Sequence, residues 1–254
     1  MRSLLKKTLS VGAVVAAAGV LVASPADAVA NGRPAPAGAY PFSVKFTMTK
    51  IPKPDGGTRD SACSGALVAP QWVITAGHCF HDVNGTRVSG PVPYPTTATL
   101  GKVDLADKGG EVRNVVEVRQ TDVNDISLGK LDRPVTGIRP LAIGNEAPTV
   151  GEKVVLAGWG ATSSVDPKPS THLNLGELKV NAVADSTVGV VGVAPANDTS
   201  ACSYDSGAPY FVAKGTKAGT LVSVESDGPD CPHATPETTS RVDVLAQWIA
   251  SEIG

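Results

Sequence analysis

The chain has 254 residues and a formal net charge of -2, with 42% hydrophobic and 18% charged residues, which is enough for one large core or two smaller ones sharing an interface. Its charges are sparse and nearly balanced, and no Lys/Arg cluster could track a phosphate backbone, so nucleic acid is not an expected partner. Four cysteines in a chain that reads as exported point to two disulfides, with three pairings open from the spacing alone. Zinc is the competing reading, but Cys63 and Cys79, and likewise Cys202 and Cys231, are too far apart for a knuckle.

In chain order, Met1-Arg2 and Lys6-Lys7 form a positive start, residues 10–23 an apolar run too short to span a bilayer, and Ala26 and Ala28 a small-residue cleavage site. Residues 1–28 therefore read as a signal peptide. Ala26-Asp27-Ala28 satisfies the cleavage rule, and Ala28-Val29-Ala30 satisfies it too. No second membrane-length stretch follows, so a secreted product without membrane attachment is expected. The rest consists of short Val/Leu/Ile/Thr-rich runs broken by Gly, Pro, Asn and Asp, the pattern of antiparallel β structure. Eleven runs are predicted as strands: 43–48, 64–69, 72–76, 97–100, 114–118, 126–131, 153–157, 177–183, 188–193, 209–213 and 220–224. Residues 52–59, 83–95 and 163–170 read as surface loops, and 133–145 as the connection between halves 29–140 and 141–254. At the end, Val242, Leu245, Trp248, Ile249 and Ile253 recur at helical spacing and predict a closing helix. Asn84-Gly85-Thr86 and Asn197-Asp198-Thr199 fit a glycosylation acceptor pattern that also arises easily by chance.

Three segments carry chemistry. They are Trp72-Val73-Ile74-Thr75-Ala76-Gly77-His78-Cys79, Asn124-Asp125-Ile126-Ser127-Leu128 and Cys202-Ser203-Tyr204-Asp205-Ser206-Gly207-Ala208-Pro209. A serine hydroxyl is a poor nucleophile until a base lies within hydrogen-bond reach, and that base needs an orienting carboxylate. Ser206, His78 and Asp125 can supply all three. Their order, His then Asp then Ser, differs from that of subtilisins and α/β-hydrolases. Each residue alone is a weak signal, and the conjunction is a strong one.

Together the segments resemble those of the chymotrypsin-like (trypsin-like) serine proteases, in the form of a secreted, bacterial-type member. Ser61-Ala62-Cys63-Ser64-Gly65-Ala66-Leu67, Gly158-Trp159-Gly160, Ser223 and Arg241-Val242 also fall at family-like places, so the likeness covers essentially the whole mature chain. It implies an all-β fold of two six-stranded antiparallel barrels packed face to face, with a C-terminal α-helix. It implies disulfides Cys63–Cys79 and Cys202–Cys231, and an oxyanion hole from the backbone N–H groups of Ser206 and Tyr204. Tyr204 and Ala208 stand where the family has glycine. A bulky residue at Tyr204 is strained if the loop needs positive φ there.

The resemblance also implies that a mature terminus at Val29 pairs its ammonium with Asp205, so that cleavage after Ala28 yields an enzyme with no separate activation step. Ser200 lies six residues before Ser206, where related trypsins carry an aspartate that selects Lys or Arg. Ser223, Glu225 and Glu237 are expected on the pocket wall, where either glutamate could hold a basic side chain, fill the pocket, or face solvent. Protein or peptide substrates, protein inhibitors and a monomeric state follow, and no cofactor is called for. His81, His172 and His233 lack partners at metal spacing, and Asp104, Asp107 and Glu111 are too loosely spaced to claim calcium. Two alternatives are a binding or regulatory protein of weakened catalysis, motivated by Tyr204, Ala208 and the acidic pocket residues, and an esterase.

Overall fold

The computed structural model describes residues 28–254; the signal-peptide expectation falls on 1–28, almost wholly outside them. The first half carries β1 (Ser43–Pro52), β2 (Thr58–Ala69), β3 (Trp72–Ala76), β4 (Thr96–Leu100), β5 (Glu111–Gln120) and β6 (Ile126–Leu131). They pair in the order β5-β4-β1-β2-β3-β6, and β6 pairs back onto β5, so the sheet closes as a six-stranded antiparallel barrel. The second half carries β7 (Lys153–Gly158), β8 (Asn174–Val183), β9 (Thr187–Ala194), β10 (Pro209–Val212), β11 (Thr220–Asp227) and β12 (Glu237–Arg241). The order β8-β7-β10-β11-β12-β9 closes through β8–β9 into a second such barrel. Closure leaves no long unpaired edge in either sheet. Two-residue strands add Arg33–Pro34 to β8, Gly90–Pro91 to β5, and Ala142–Ile143 in parallel to β11.

The period-2 alternation explains which faces are buried. In β4, Thr96, Ala98 and Leu100 point inward while Thr97 and Thr99 are half-buried. By contrast β3 and β10 are buried throughout, because one face lines a barrel and the other meets the seam between barrels. Phe46, Leu67, Phe80 and Leu100 belong to the core of the first barrel; Leu156, Leu178, Val190 and Tyr210 belong to that of the second. A third cluster joins Trp72, Ile74 and Leu128 of one barrel to Trp159, Phe211 and Leu221 of the other. Each such large side chain contributes about 1.5–3 kcal/mol on burial, so the seam is a core in its own right.

All eleven predicted runs coincide with strands, several of which are longer than their apolar centres. Residues 43–48 extend to Pro52 and 64–69 reach back to Thr58, because Ile51 pairs with Arg59 and Pro52 with Thr58. The predicted loop 52–59 thus narrows to a hairpin turn. Strand β12, Glu-Thr-Thr-Ser-Arg, was not predicted, since it carries no apolar pattern. The closing helix begins as a 3-10 turn at Asp243–Leu245 and continues as α1 (Ala246–Ile253). Val242, Leu245 and Ile249 seal the seam. The cysteines form Cys63–Cys79 and Cys202–Cys231 and none is free, which removes the zinc reading.

Candidate active site

Neighbouring strand ends bring His78 and Asp125 together. His78 sits in the 3-10 turn that follows β3, Asp125 immediately precedes β6, and Ala76 pairs with Ile126. Gly77 permits the approach, because a Cβ there would stand 2.5 Å from Arg87 Nη1 and 2.9 Å from Asp125 Oδ1. The His78 N–H donates to Asp125 Oδ1 at 2.8 Å, and His78 Nδ1 lies 2.7 Å from Oδ2. On the other side of the ring, His78 Nε2 is 2.9 Å from Ser206 Oγ. Ser226 Oγ also donates to Asp125 Oδ2, at 2.8 Å. Burial works against the Asp125 carboxylate, but hydrogen bonds from His78 and Ser226 and the charge of His78 hold it below its usual range. Arg87 donates to the carbonyls of Asn124 and Thr121 and lies 3.6 Å from Asp125 Oδ1, strapping this loop in place.

The Ser206 loop is clamped between the barrels. Ser64 N–H donates to Ser206 O at 2.9 Å, and Gly207 N–H to Glu225 O at 2.8 Å. Gly207 has φ +83°, and a Cβ there would collide with Thr75 Oγ1, so glycine is required twice over. Tyr204 occupies the left-handed region at φ +75°. Its carbonyl accepts from Ser64 Oγ at 3.2 Å, and the carbonyl of Ser203 accepts from Ala161 N–H at 2.7 Å. Because C=O and N–H of one trans peptide point in opposite directions, the bond to Ser203 O turns the Tyr204 N–H away from Ala161. Neither the Tyr204 nor the Ser206 N–H donates to an acceptor among the described residues. Ala208 is wholly buried and packs in the second core with Val29 and Tyr210, so its methyl group has a place.

Asp205 is enclosed. It accepts from Gly160 N–H at 2.8 Å, from Cys202 N–H at 3.1 Å and from the Val29 backbone N–H. Burial pushes its carboxyl up to about 7, opposed by those three amides and reinforced by the charge of Glu237. Gly158 and Gly160 make the niche, since a Cβ at either would run into the carboxyl group. Val29 is fully buried at φ +59°, a conformation a β-branched side chain adopts only under strain. Behind this niche lies a residue that sequence reasoning passed over. Lys45 is buried, donates to Ser170 O and sits 5.7 Å from the Trp159 ring centroid. Burial lowers its pKa to about 8, while the charge of Asp205 works the other way.

Beside Ser206 lies a cavity of about 190 Å³, lined among others by Cys202, Ser226, Gly228, Glu225 and Glu237. Both glutamates are buried, which answers whether they face solvent. Tyr210 Oη is 2.6 Å from Glu225 Oε2 and also bonds Glu237 Oε2, while Glu237 Oε1 accepts from Ala201 N–H at 2.5 Å. Burial and the charge of Glu237 push the Glu225 carboxyl well up; burial also raises Glu237, against its hydrogen bonds from Tyr210 and Ala201. Two expected pocket residues stand elsewhere. Ser223 lies deeper on β11, where its hydroxyl donates to Thr239 Oγ1 at 2.8 Å while Thr239 donates to Val188 O, and Ser226 lines the cavity instead. Ser200 is sealed, accepting from His233 N–H and donating its own N–H to Ala30 O. Tyr210 and Ser226 had no signal in the chain beyond adjacency to Pro209 and Glu225. Asp104 and Asp107 accept from amides of their own loop, and Glu111 pairs with Arg113.

A family model described as Trypsin matches residues 29–249. The chain belongs to the trypsin family. Among trypsin-family relatives it is 25% identical over 213 residues to rat (Rattus norvegicus) Kallikrein-8, covering 76% of this chain and 77% of that one. It is 27% identical over 256 residues to mouse (Mus musculus) Serine protease 56, covering 89% of this chain but only 38% of that protein's length. Of solved trypsin-like structures, neuropsin, a serine protease expressed in the limbic system of mouse brain, superposes with a TM-score of 0.71 at 21% identity, over 89% of this chain and 100% of that one. HL collagenase gives 0.70 at 22% identity, over 88% and 98%. These two likenesses establish the chymotrypsin-like fold. The curated relatives named are mammalian and lend no support to the bacterial-type expectation.

Proposed function

We propose that this trypsin-family chain is a secreted serine endopeptidase. In this reading Ser206 attacks the scissile carbonyl, His78 takes its proton and returns it to the leaving amine, and Asp125 holds the imidazole tautomer and stabilises the imidazolium. The observation that carries it is the line from Ser206 Oγ to His78 Nε2 at 2.9 Å and from His78 Nδ1 to Asp125 Oδ2 at 2.7 Å. The uncommitted N–H groups of Tyr204 and Ser206 serve as the oxyanion hole, where one donor is worth about 3–4 kcal/mol of transition-state stabilisation. The two disulfides suit an extracellular protein.

Val29 and Asp205 form the activation pair. An amide at Val29 already reaches Asp205, and a free ammonium there would neutralise a carboxylate that burial otherwise disfavours. Cutting the bond after Ala28 also abolishes the strained φ, because a terminal residue has no preceding carbonyl. Amino-terminal sequencing of the secreted product checks this: a fully active chain beginning at Asn31 refutes it. Residues 29–140 and 141–254 form the two halves, each contributing one face of the cleft. Substrates are proteins or peptides, protein inhibitors occupy the same cleft, and the enzyme acts as a monomer. Glu237 and Glu225 favour a basic side chain before the scissile bond.

A fluorophosphonate probe tests the central reading. It should label Ser206 and fail to label Ser206→Ala, whose peptide hydrolysis should fall by about a millionfold; absence of label at every pH ends it. One observation favours the second reading of weakened catalysis, the left-handed φ of a tyrosine at 204. If it holds, Tyr204→Gly should raise kcat at least about tenfold. Ester turnover without peptide turnover would identify an esterase instead.

A further inference from the structure

The floor of the cavity beside Ser206 does not balance in hydrogens as two carboxylates and a phenol. Tyr210 Oη lies 2.6 Å from Glu225 Oε2 and is also bonded to Glu237 Oε2. A phenol has a single hydrogen to donate. With both glutamates ionised, one of these contacts would set lone pairs against lone pairs in a buried site, which is strongly unfavourable. A second proton must therefore reside on one of the carboxyl groups. The surroundings say which. Glu237 Oε1 accepts from Ala201 N–H at 2.5 Å, and His233 Nε2 lies 3.7 Å from the same oxygen; both favour a charged Glu237. Glu225 has no backbone donor or cation against its side chain among the described residues. Glu225 also hydrogen-bonds Glu237 directly, as the proton-bearing partner, so the Glu225 O–H faces both Tyr210 O and Glu237, and Tyr210 O–H donates to the Glu237 carboxylate.

The other acidic groups around the trio disfavour a second negative charge, and His233 is the one basic side chain against it among the described residues. Asp205 lies behind it in the nucleophile loop, and its charge raises Glu225; Asp227 and Asp230 line the same cavity. An incoming cation changes this balance, because an ammonium or guanidinium can compensate the charge that appears when Glu225 gives up its proton.

We propose that Glu225 and Glu237 share one exchangeable proton through the hydroxyl of Tyr210, and that the cavity admits a cationic side chain in exchange for that proton, which leaves to solvent. Tyr210 is then a positioning residue for specificity. The inference rests on the reading that this cavity receives the side chain before the scissile bond. It adds a pH-dependent selectivity: preference for a basic over an uncharged side chain rises with pH, by up to about tenfold per unit while the proton remains bound. Because substrates of both kinds use the same His78 and Ser206, their ratio cancels the pH dependence of the catalytic groups.

The test is calorimetric titration of the mature protein with benzamidine, an aryl amidinium that needs no turnover, in buffers of differing ionisation enthalpy. Wild type should release a proton on binding and bind more tightly as pH rises. Glu225→Gln, which keeps a donor toward Tyr210 without a titrating group, should bind with no proton release and a flat pH profile. Glu237→Gln should weaken binding at least about tenfold. Binding without proton release in wild type overturns the proposal, as does release that survives Glu225→Gln, or no binding at all. Wild type alone suffices if a variant fails to fold. Fluorophosphonate labelling in parallel separates the two claims: labelling without proton-linked binding removes only this inference, whereas proton-linked binding without labelling removes the endopeptidase reading and leaves the exchange standing.

Discussion

Tyr204 shows how one residue can look wrong in sequence and still fit its place. At φ +75° it bears the cost of a left-handed L-residue, about 1–2 kcal/mol, and the bonds to Ser203 O and Tyr204 O hold the loop against relaxing. Ser64 is the residue to test. Its hydroxyl donates to Tyr204 O and accepts from the buried backbone N–H of Trp159 at 3.0 Å. Ser64→Ala is expected to cost about 1–3 kcal/mol for the orphaned N–H, read from urea melts, and to lower kcat more than it raises KM. Ser226 sets a second case, with a pH signature. The Asp125 carboxyl is held below its ordinary range, so its stabilisation is fully present above the unfolded pKa and is lost as pH falls through the folded value. Ser226→Ala should therefore cost about 1.5–3 kcal/mol at neutral pH and progressively less in acid. Equal losses at both extremes would show that the bond to Asp125 is not the cause.

Among the elements, β12 was illegible for a physical reason. Its sequence is polar because its inner face meets Tyr210, Ser223 and the cavity rather than an apolar core, and Thr239 Oγ1 is bound within the barrel. Neither burial nor hydropathy alternates there, since Thr239, Ser240 and Arg241 are all buried and only Thr238 is exposed. Strands such as β3 and β6, which have only packing to do, were found with their bounds intact. Helix α1 was legible because its stripe covers the seam. Ile249 is fully buried in that seam, so Ile249→Ala is expected to lose about 2–5 kcal/mol. Chemical denaturation should show this as a shifted midpoint with unchanged slope. A loss below about 0.5 kcal/mol would mean that the helix only rests on the surface.

At the scale of the molecule, Ser206 is tied to the first barrel through Ser64, Asp205 to the second through Gly160, and the Val29 backbone N–H reaches Asp205. With Val29 still in a peptide bond, Asp205 has a folded pKa raised to about 7. Such a carboxyl binds its proton more tightly folded than unfolded, so stability falls as pH rises from about 4 to about 7. In the proposed activation pair, a chain that begins at Val29 supplies an ammonium expected to reverse the shift and remove that loss. Thermal melts of the two forms should coincide near pH 4 and diverge by neutrality, with the Val29-terminal form more stable. Parallel curves would show that no ion pair forms.

The sequence by itself determined the barrel strands that bury apolar faces, the closing stripe of the tail, and the conjunction of His78, Asp125 and Ser206, because hydrophobic period and side-chain type are local properties. Ser226 in place of Ser223, the sealing of Ser200, the strap from Arg87, Lys45 behind Asp205, and Tyr210 between two glutamates were decided only in the tertiary structure. Each depends on which side chains from strands distant in sequence share one small volume, and on how many hydrogens that volume contains. Neither quantity is written in any single segment of the chain.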